Sequence, residues 1–259
     1  EAVTKQFNSG EGAIQFAPEA IARSNADILN KDELRKEFIE IYSEQGKEEA
    51  KNWINHNFGP FSNDELNHRM TRYGLNPCGE ILGNDFHCNL AGFHLNQIDP
   101  NNLEEQKKAF KSAALSVACL LNHKFEVERY RVSREFDPIV GVSFTGLFDF
   151  FVHAFGTSWL RWWEQGRPDT EEGKLFKERE SKYLESWKII VKDTVWDYCD
   201  KHNLRRPNRC TTVQPAGTKS LLTGAAPGWH PPKAQRFIRR ITFRKNDPVA
   251  LACMDYGYS

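Results

Sequence analysis

The sequence has no excess of charge of either sign and no long hydrophobic run. Its 259 residues include 35 lysines and arginines and 35 aspartates and glutamates, so the formal net charge is zero. A neutral chain has no overall field that attracts nucleic acid or an anionic membrane surface, and we expect it to bind neither directly. No stretch of about 18 apolar residues is present, so the sequence predicts no transmembrane helix.

Closely spaced cysteine pairs are also missing. None of the six cysteines forms the C-x₂₋₄-C pattern that is typical of zinc sites. A disulfide framework is typical of small secreted proteins, and this longer chain shows no export signal. We therefore expect a reducing, cytoplasmic location. The sequence opens at Glu1 without a methionine, and we expect it to be a fragment of a longer protein.

Among the features that are present, the stretch Asn76-Pro77-Cys78-Gly79-Glu80 is the most informative. If it is extended, the two-residue period places Asn76, Cys78 and Glu80 on one face. Pro77 favours extended geometry at Asn76, and Gly79 allows a ligand or another backbone to approach closely. An amide, a thiol and a carboxylate in one small volume suit chemistry on a polyol, with sulfur available for redox or radical steps.

A second thiol, Cys88, follows ten residues later and is near enough in sequence to join the same site. A cysteine taken at random is more often a small core residue, but Asn, Pro, Gly and Glu are poor core material. The alternative that Cys78 and Cys88 form a structural disulfide or a metal pair stays open. Cys119 differs, because it lies in an apolar run and is expected in the core.

The second candidate site is a turn of small and hydroxyl residues between a predicted strand at 208–213 and an apparent helix start. It reads Pro215-Ala216-Gly217-Thr218-Lys219-Ser220. Backbone N–H groups at a helix N-terminus favour an anion, so a phosphate is chemically sensible here. The stretch is not a Walker A loop, because Thr218 separates Gly217 from Lys219. An ordinary capped helix explains the same residues about as well.

Predicted strands and helices alternate along most of the chain, which indicates an α/β fold with crossover connections. The strands are expected at 88–95, 139–144 and 208–213, and the helices at 103–122, 147–155 and 170–202. A strongly charged stretch at about 30–68 has helical spacing and is expected to be a surface insertion. Residues 236–241 form a further predicted strand, and its three arginine side chains could face phosphate or water.

Taken together, these motifs resemble a known enzyme family. Asn76–Glu80 with Cys88-Asn89-Leu90 resembles the active-site loop of ribonucleotide reductases. The stretch 215–220, followed by Gly228-Trp229-His230, is similar to the substrate-phosphate region of the adenosylcobalamin-dependent class II enzymes, and most of all to their monomeric ribonucleoside-triphosphate reductase branch. The matches occur in family order and cover roughly residues 7 to 245.

The resemblance implies that residues 1–259 are part of a ten-stranded α/β barrel whose central finger loop carries the radical cysteine. Cys78 would be the thiyl radical that abstracts the 3′-hydrogen of the ribose. Glu80 would take the 3′-hydroxyl proton, Asn76 would hydrogen-bond the ribose hydroxyls, and Cys88 would be one of two thiols that reduce the sugar.

The resemblance also implies the partners of the reaction. Ribonucleoside triphosphate would be the substrate, held by Pro215–Ser220 chiefly through backbone donors, and adenosylcobalamin would start the radical. A thioredoxin-like protein or a dithiol would restore the reducing thiols. The family's second reducing cysteine and its C-terminal cysteine pair have no match here, so we expect both in missing N- and C-terminal parts and no turnover by the fragment alone. The alternative function is a nucleotide-binding module without redox activity.

Overall fold

The computed structural model describes residues 1–9, 14–232, 234 and 242–257. The arginine-rich strand predicted at 236–241 lies outside the described residues. The helices are α1 (Ala2–Ser9), α2 (Ala17–Ser24), α3 (Asp32–Gln45), α4 (Lys47–Phe58), α5 (Asn63–Arg69), α6 (Leu103–Ala118), α7 (Glu128–Phe136), α8 (Leu147–Phe155), α9 (Thr157–Glu164), α10 (Glu171–Lys201) and α11 (Pro248–Asp255). The strands are β1 (Gly74–Leu75), β2 (Leu82–Gly83), β3 (Asn89–His94) and β4 (Val140–Thr145).

A small parallel sheet lies at the centre of the chain. β3 and β4 pair in register from Asn89 opposite Val140 to His94 opposite Thr145. A third extended segment joins β4 through a single parallel bridge between Val142 and Thr211. The strand predicted at 208–213 is therefore reduced to one bridge. β4 is buried at every position, in agreement with its uninterrupted non-charged sequence.

The two faces of this sheet have different surroundings. Val142 and Phe144 point into the main hydrophobic core, where the ring of Phe144 contacts those of Phe110 and Trp187. The alternate residues of β4 point to the opposite face. There Gly141 lies beneath the side chains of Leu90 and Thr212, whose atoms come within 2.6 and 2.8 Å of the position that a Cβ on Gly141 would occupy. Glycine therefore gives this face its close packing.

The long helices form where their capping residues predict. Asn102 begins α6 by accepting a hydrogen bond from the backbone N–H of Glu105 at 3.0 Å, and Thr170 begins α10 in the same way. α9 buries Trp159 and Trp162, so these two side chains serve packing. Cys119 contradicts its prediction, because its side chain is exposed just after α6.

The charged stretch at about 30–68 folds into α3, α4 and α5. Together with α2 these helices enclose a second hydrophobic cluster around Phe38 and Ile54, both fully buried. We call α2 to α5 the helical unit. Its status as an insertion stays a prediction.

The fold is mixed α/β, as the alternation of elements predicts. The described residues contain four strands in two sheets of two strands each. The ten-stranded barrel thus stays a prediction about a larger protein. Within the described residues, no helix is both long and apolar enough to cross a membrane.

Candidate functional site

The motif Asn76–Glu80 lies at the tip of a β-hairpin. β1 and β2 pair antiparallel, and residues 76–81 connect them; we call this segment the hairpin tip. The backbone N–H of Asn76 donates to the carbonyl of Ile81 at 3.2 Å, and that of Gly79 donates to the carbonyl of Asn76 at 2.9 Å. Gly79 has φ of +78°, which glycine adopts easily. The backbone is turned, so the two-residue alternation expected for an extended chain does not apply here.

The amide of Asn76 organises this tip. Its Oδ1 accepts hydrogen bonds from the backbone N–H groups of Glu80 and Ile81, both at 3.0 Å. Its Nδ2 faces the Sγ of Cys88 at 4.0 Å. The oxygen of Asn76 is therefore used to shape the tip, and its nitrogen lies next to the second cysteine.

The hairpin tip and Cys88 form one electrostatic neighbourhood. Cys78 and Cys88 are free thiols with exposed side chains. Partial burial raises the pKa of Cys88, and the nearby Glu80 carboxylate and Cys78 thiol raise it further. Glu80 has a buried Oε2 without a hydrogen-bond partner in the described structure. The structure thus brings an amide, a carboxylate and two thiols together.

The 215–220 loop follows the bridged segment but does not begin an α-helix. Its first regular element is a four-residue 3₁₀ turn, Lys219–Leu222, so the expected helix dipole is absent from the described structure. Ser220 closes the loop by donating from Oγ to the carbonyl of Gly217 at 2.7 Å. Ala216 is buried, whereas no other atom lies within 4 Å of the Cβ position of Gly217. Backbone near Gly217 is therefore open to a ligand.

Lys219 connects this loop to the sheet. Its Nζ donates to Oε1 of Gln214 at 2.7 Å, and both atoms lie 2.8 Å from the position that a Cβ on Gly92 would occupy. The backbone N–H of Gln214 in turn donates to Oγ of Ser143 at 3.2 Å. Gly92 is paired with Ser143 across the sheet, one alternate position beyond Gly141. The loop therefore covers the same face of the sheet as Thr212.

Two residues that the sequence did not single out attach the hairpin to this face. Thr212 donates from Oγ1 to the carbonyl of Glu80 at 2.8 Å, and Arg209 donates from a terminal nitrogen to the carbonyl of Leu82 at 2.6 Å. Arg209 also pairs with Asp137. The two contacts with the hairpin join residues that are 132 and 127 positions apart, so no local pattern could have indicated them. They place both motifs against one sheet face.

The second limb of the hairpin, residues 80–83, is called the return limb here, and a cavity of about 190 Å³ lies between it and the sheet. Its walls include Glu80, Leu82, Arg209 and Thr212. A cavity of about 690 Å³, lined by residues such as Phe125 and Arg134, is larger but includes none of the predicted site residues. Of the predicted site residues, Glu80 alone lines the smaller cavity, which therefore lies next to the hairpin tip and is not enclosed by the whole group. Among the described residues, no group of three or more His, Cys, Asp or Glu side chains could hold a metal ion.

Comparison with known proteins identifies relatives of one kind. No family model matches the chain. The adenosylcobalamin-dependent ribonucleoside-triphosphate reductase of Lactobacillus gasseri is 31% identical over 195 residues, which cover 71% of this chain and 25% of that protein. Proteins of the same name from Levilactobacillus brevis and Lactobacillus leichmannii are 30% and 29% identical over 71% of this chain. A crystal structure of a B12-dependent class II ribonucleotide reductase matches 62% of this chain and 23% of its own with 23% identity and a TM-score of 0.47.

The matched region is only a part of each relative. The chain spans about a quarter of the length of the curated relatives it matches, as the 25% coverage of the Lactobacillus gasseri protein shows. The similarity in sequence confirms the kinship that the two motifs indicated.

Proposed function

The chain belongs to the adenosylcobalamin-dependent ribonucleoside-triphosphate reductase family, and from this premise we propose that it forms the part of such an enzyme that reduces the ribose. The proposal includes the larger ten-stranded barrel, to which β3, β4 and the segment at Thr211 would contribute parallel strands. One observation carries it: Asn76, Cys78 and Glu80 share a hairpin tip that lies beside Cys88.

Cys78 is the residue proposed to carry the thiyl radical. Its thiol is exposed at the tip, and the space around the neighbouring Gly79 is open, so a bulky cofactor could approach. Adenosylcobalamin, when bound, supplies the radical that no side chain generates alone. The Cys78 sulfur then takes the hydrogen atom from C3′ of the ribose and holds it as a thiol.

Glu80 and Asn76 are proposed to handle the ribose hydroxyls. Oε2 of Glu80 has no hydrogen-bond partner in the described structure, so it can accept the proton of the 3′-hydroxyl. Oδ1 of Asn76 is already occupied by two backbone N–H groups, which leaves Nδ2 as the group that can donate to a ribose hydroxyl. The amide thus both shapes the tip and orients the sugar.

Cys88 is proposed as one of the two reducing thiols. Its raised pKa keeps the thiol protonated at neutral pH, so it holds a proton for the departing 2′-hydroxyl, which leaves as water. Two thiols supply two electrons as they join in a disulfide, and a thioredoxin-like protein or a dithiol would reduce that bond again. The second thiol would come from a part of the enzyme outside this chain, in a reducing compartment such as the cytoplasm.

The substrate is proposed to be a ribonucleoside triphosphate. Its phosphates would lie on the 215–220 loop, where backbone near Gly217 is open and the Lys219 ammonium supplies positive charge. Because both motifs lie against one face of the sheet, phosphates held there could present the ribose to the hairpin tip.

The variant Cys78→Ser tests this division of roles in the full-length enzyme that contains the chain. We expect ribonucleotide reduction to be lost and nucleotide affinity to change by less than about twofold, because the thiol takes part in chemistry rather than binding. Cys119→Ser is the matched control, since Cys119 is exposed and far from both motifs in sequence; it should retain activity.

Two results would contradict the proposal. If Cys78→Ser also abolishes nucleotide binding, the role proposed for the Cys78 thiol is wrong. If the wild-type enzyme binds nucleotide but does not reduce it when cofactor and dithiol are present, the chain is a nucleotide-binding module without redox activity.

A further inference from the structure

The return limb of the hairpin is fixed to the sheet by side chains rather than by strand pairing. Two carbonyl groups of this limb, those of Glu80 and Leu82, accept hydrogen bonds from side chains of the segment 209–212. Thr212 binds the first carbonyl at 2.8 Å, and Arg209 binds the second at 2.6 Å. Residues 209–212 therefore hold this limb at two points.

Thr212 is itself held firmly. Its backbone N–H donates to the carbonyl of Val142 at 3.1 Å, which fixes it to the buried strand β4. Its methyl group lies over Gly141, within 2.8 Å of the Cβ position of that glycine. A β-branched side chain has few rotamers, and close packing on one side restricts them further. The Thr212 hydroxyl is thus directed at the hairpin from a residue that is fixed to the buried strand β4.

The bond from Thr212 differs in kind from the bonds made by Asn76. Asn76 belongs to the hairpin tip, so its hydrogen bonds to Glu80 and Ile81 fix the shape of the tip but not its place. Thr212 lies 132 residues beyond Glu80 in the chain and binds the tip from outside. Without its hydroxyl, the Glu80 backbone would keep its turn and lose its attachment to the sheet.

We propose that Thr212 is a positioning residue for Glu80, which it holds so that the carboxylate faces Cys88 and the space where a substrate hydroxyl would lie. The importance of this position for catalysis rests on the proposed function. The geometric part does not, because the proximity of Glu80 to Cys88 can be measured on the thiol alone.

The thiol of Cys88 reports on that proximity. The negative charge of Glu80 raises the pKa of Cys88, so a carboxylate that moves away lets that pKa fall. More thiolate is then present at pH 8, and alkylation becomes faster. The rate of iodoacetamide alkylation of Cys88, followed across pH by mass spectrometry of the Cys88 peptide, therefore reports whether the Glu80 carboxylate still acts on the thiol.

The experiment compares five forms of this chain: the wild type, Glu80→Gln, Thr212→Val, Thr212→Ser and Thr194→Val. Glu80→Gln sets the full shift of the Cys88 titration to lower pH. Thr212→Val should produce a shift in the same direction and about a two- to fivefold faster alkylation at pH 8. Thr212→Ser keeps the hydroxyl and should restore most of the wild-type profile. Thr194→Val removes a comparable hydroxyl, which donates to a carbonyl within α10, and should leave the profile unchanged.

Each failure of this experiment has its own meaning. A wild-type profile for Thr212→Val beside a shifted Glu80→Gln would overturn the positioning role. No shift in Glu80→Gln would also overturn it, because Glu80 would then not face Cys88. If Thr212→Val does not fold, Thr212→Ser decides: a shift in that folded variant contradicts a role for the hydroxyl, and a wild-type profile supports it.

The catalytic consequence is measured separately in the full-length enzyme. Thr212→Val should lower kcat with little change in KM, because the base and not the phosphate loop is displaced. A wild-type enzyme without reductase activity would contradict the proposed function, but it would not affect the conclusion from the alkylation of Cys88.

Discussion

At the scale of single residues, His68 shows how a buried environment selects one protonation state. Nε of Arg72 donates to Nδ1 of His68 at 3.1 Å, so that nitrogen must be unprotonated. Nε2 therefore carries the proton and donates to Oγ of Ser133 at 3.0 Å, and the Ser133 hydroxyl donates to the carbonyl of Asn84. Burial, reinforced by the charge of Arg72, lowers the pKa of His68 to about 4.

This state predicts a loss of stability in mild acid. Unfolded His68, with a pKa near 6.5, takes up a proton that the folded side chain refuses until about pH 4. The unfolded state therefore binds more protons between these values, and the free energy of unfolding should fall by about 2 kcal/mol from pH 7 to pH 5. His68→Gln keeps an acceptor and a donor but does not titrate. Its free energy of unfolding, measured by urea denaturation at pH 7 and pH 5, should therefore lack this decrease.

His56→Gln serves as the control for this measurement, because His56 is exposed near the end of α4. Its pH dependence should match that of the wild type. If the free energy of unfolding of His68→Gln falls between pH 7 and pH 5 as much as that of the wild type, His68 is not the cause of the pH dependence.

At the scale of elements, the contact between α6 and α10 holds the main core together. Trp187 of α10 is almost fully buried, and its ring stacks on that of Phe110 with centroids 5.0 Å apart. Its Nε1 donates to Oε1 of Gln106 at 3.0 Å, so the polar edge of the indole is satisfied inside the core. One side of α10 is therefore part of the main core.

Trp187→Ala should therefore lower the free energy of unfolding by about 3–5 kcal/mol, because it removes a buried ring and leaves the Gln106 oxygen without its donor. Chemical denaturation followed by circular dichroism measures this loss. Leu175→Ala, on the same helix at a position 60% exposed, should change the stability by less than about 0.5 kcal/mol. Equal effects of the two variants would contradict the packing described for α10.

At the scale of the whole molecule, buried charges join the helical unit to the sheet. Arg69 of α5 pairs with Asp27 and Glu65, and the fully buried Arg72 lies next to Asp137 at 3.5 Å. Asp137 also pairs with Arg209, which binds the return limb of the hairpin. One carboxylate, which precedes β4, thus links Arg72, just after the helical unit, to the segment that holds the hairpin.

Asp137→Ala should destabilise the protein by about 3–5 kcal/mol, because two poorly solvated arginines lose their shared partner. It should also speed alkylation of the Cys88 thiol, since Arg209 would no longer be held against the hairpin. Asp169→Ala is the control: Asp169 pairs with Lys177 at the surface, and such pairs contribute about 0–1 kcal/mol. Thermal unfolding and the alkylation assay test both effects, and a loss no greater than the control's would show that the network adds nothing to stability.

Local sequence pattern was enough to predict several helices and strands, and motif resemblance was enough to predict the family. The predicted helices at 103–122, 147–155 and 170–202 correspond to α6, α8 and α10, and the predicted strand at 139–144 corresponds to β4, because hydrogen bonds and burial within an element depend on neighbouring residues. The resemblance of Asn76–Glu80, Cys88-Asn89-Leu90 and the 215–220 stretch to known motifs indicated the family that the sequence comparisons confirm.

Tertiary structure alone decided how those residues are used. It turned an expected extended motif into a hairpin tip, reduced the strand at 208–213 to one bridge, and left Cys119 exposed at the end of an apolar run. It also placed Thr212 and Arg209 on the hairpin. These outcomes depend on hydrogen bonds between residues far apart in the chain, whose geometry is set by how whole elements pack and leaves no trace in local composition.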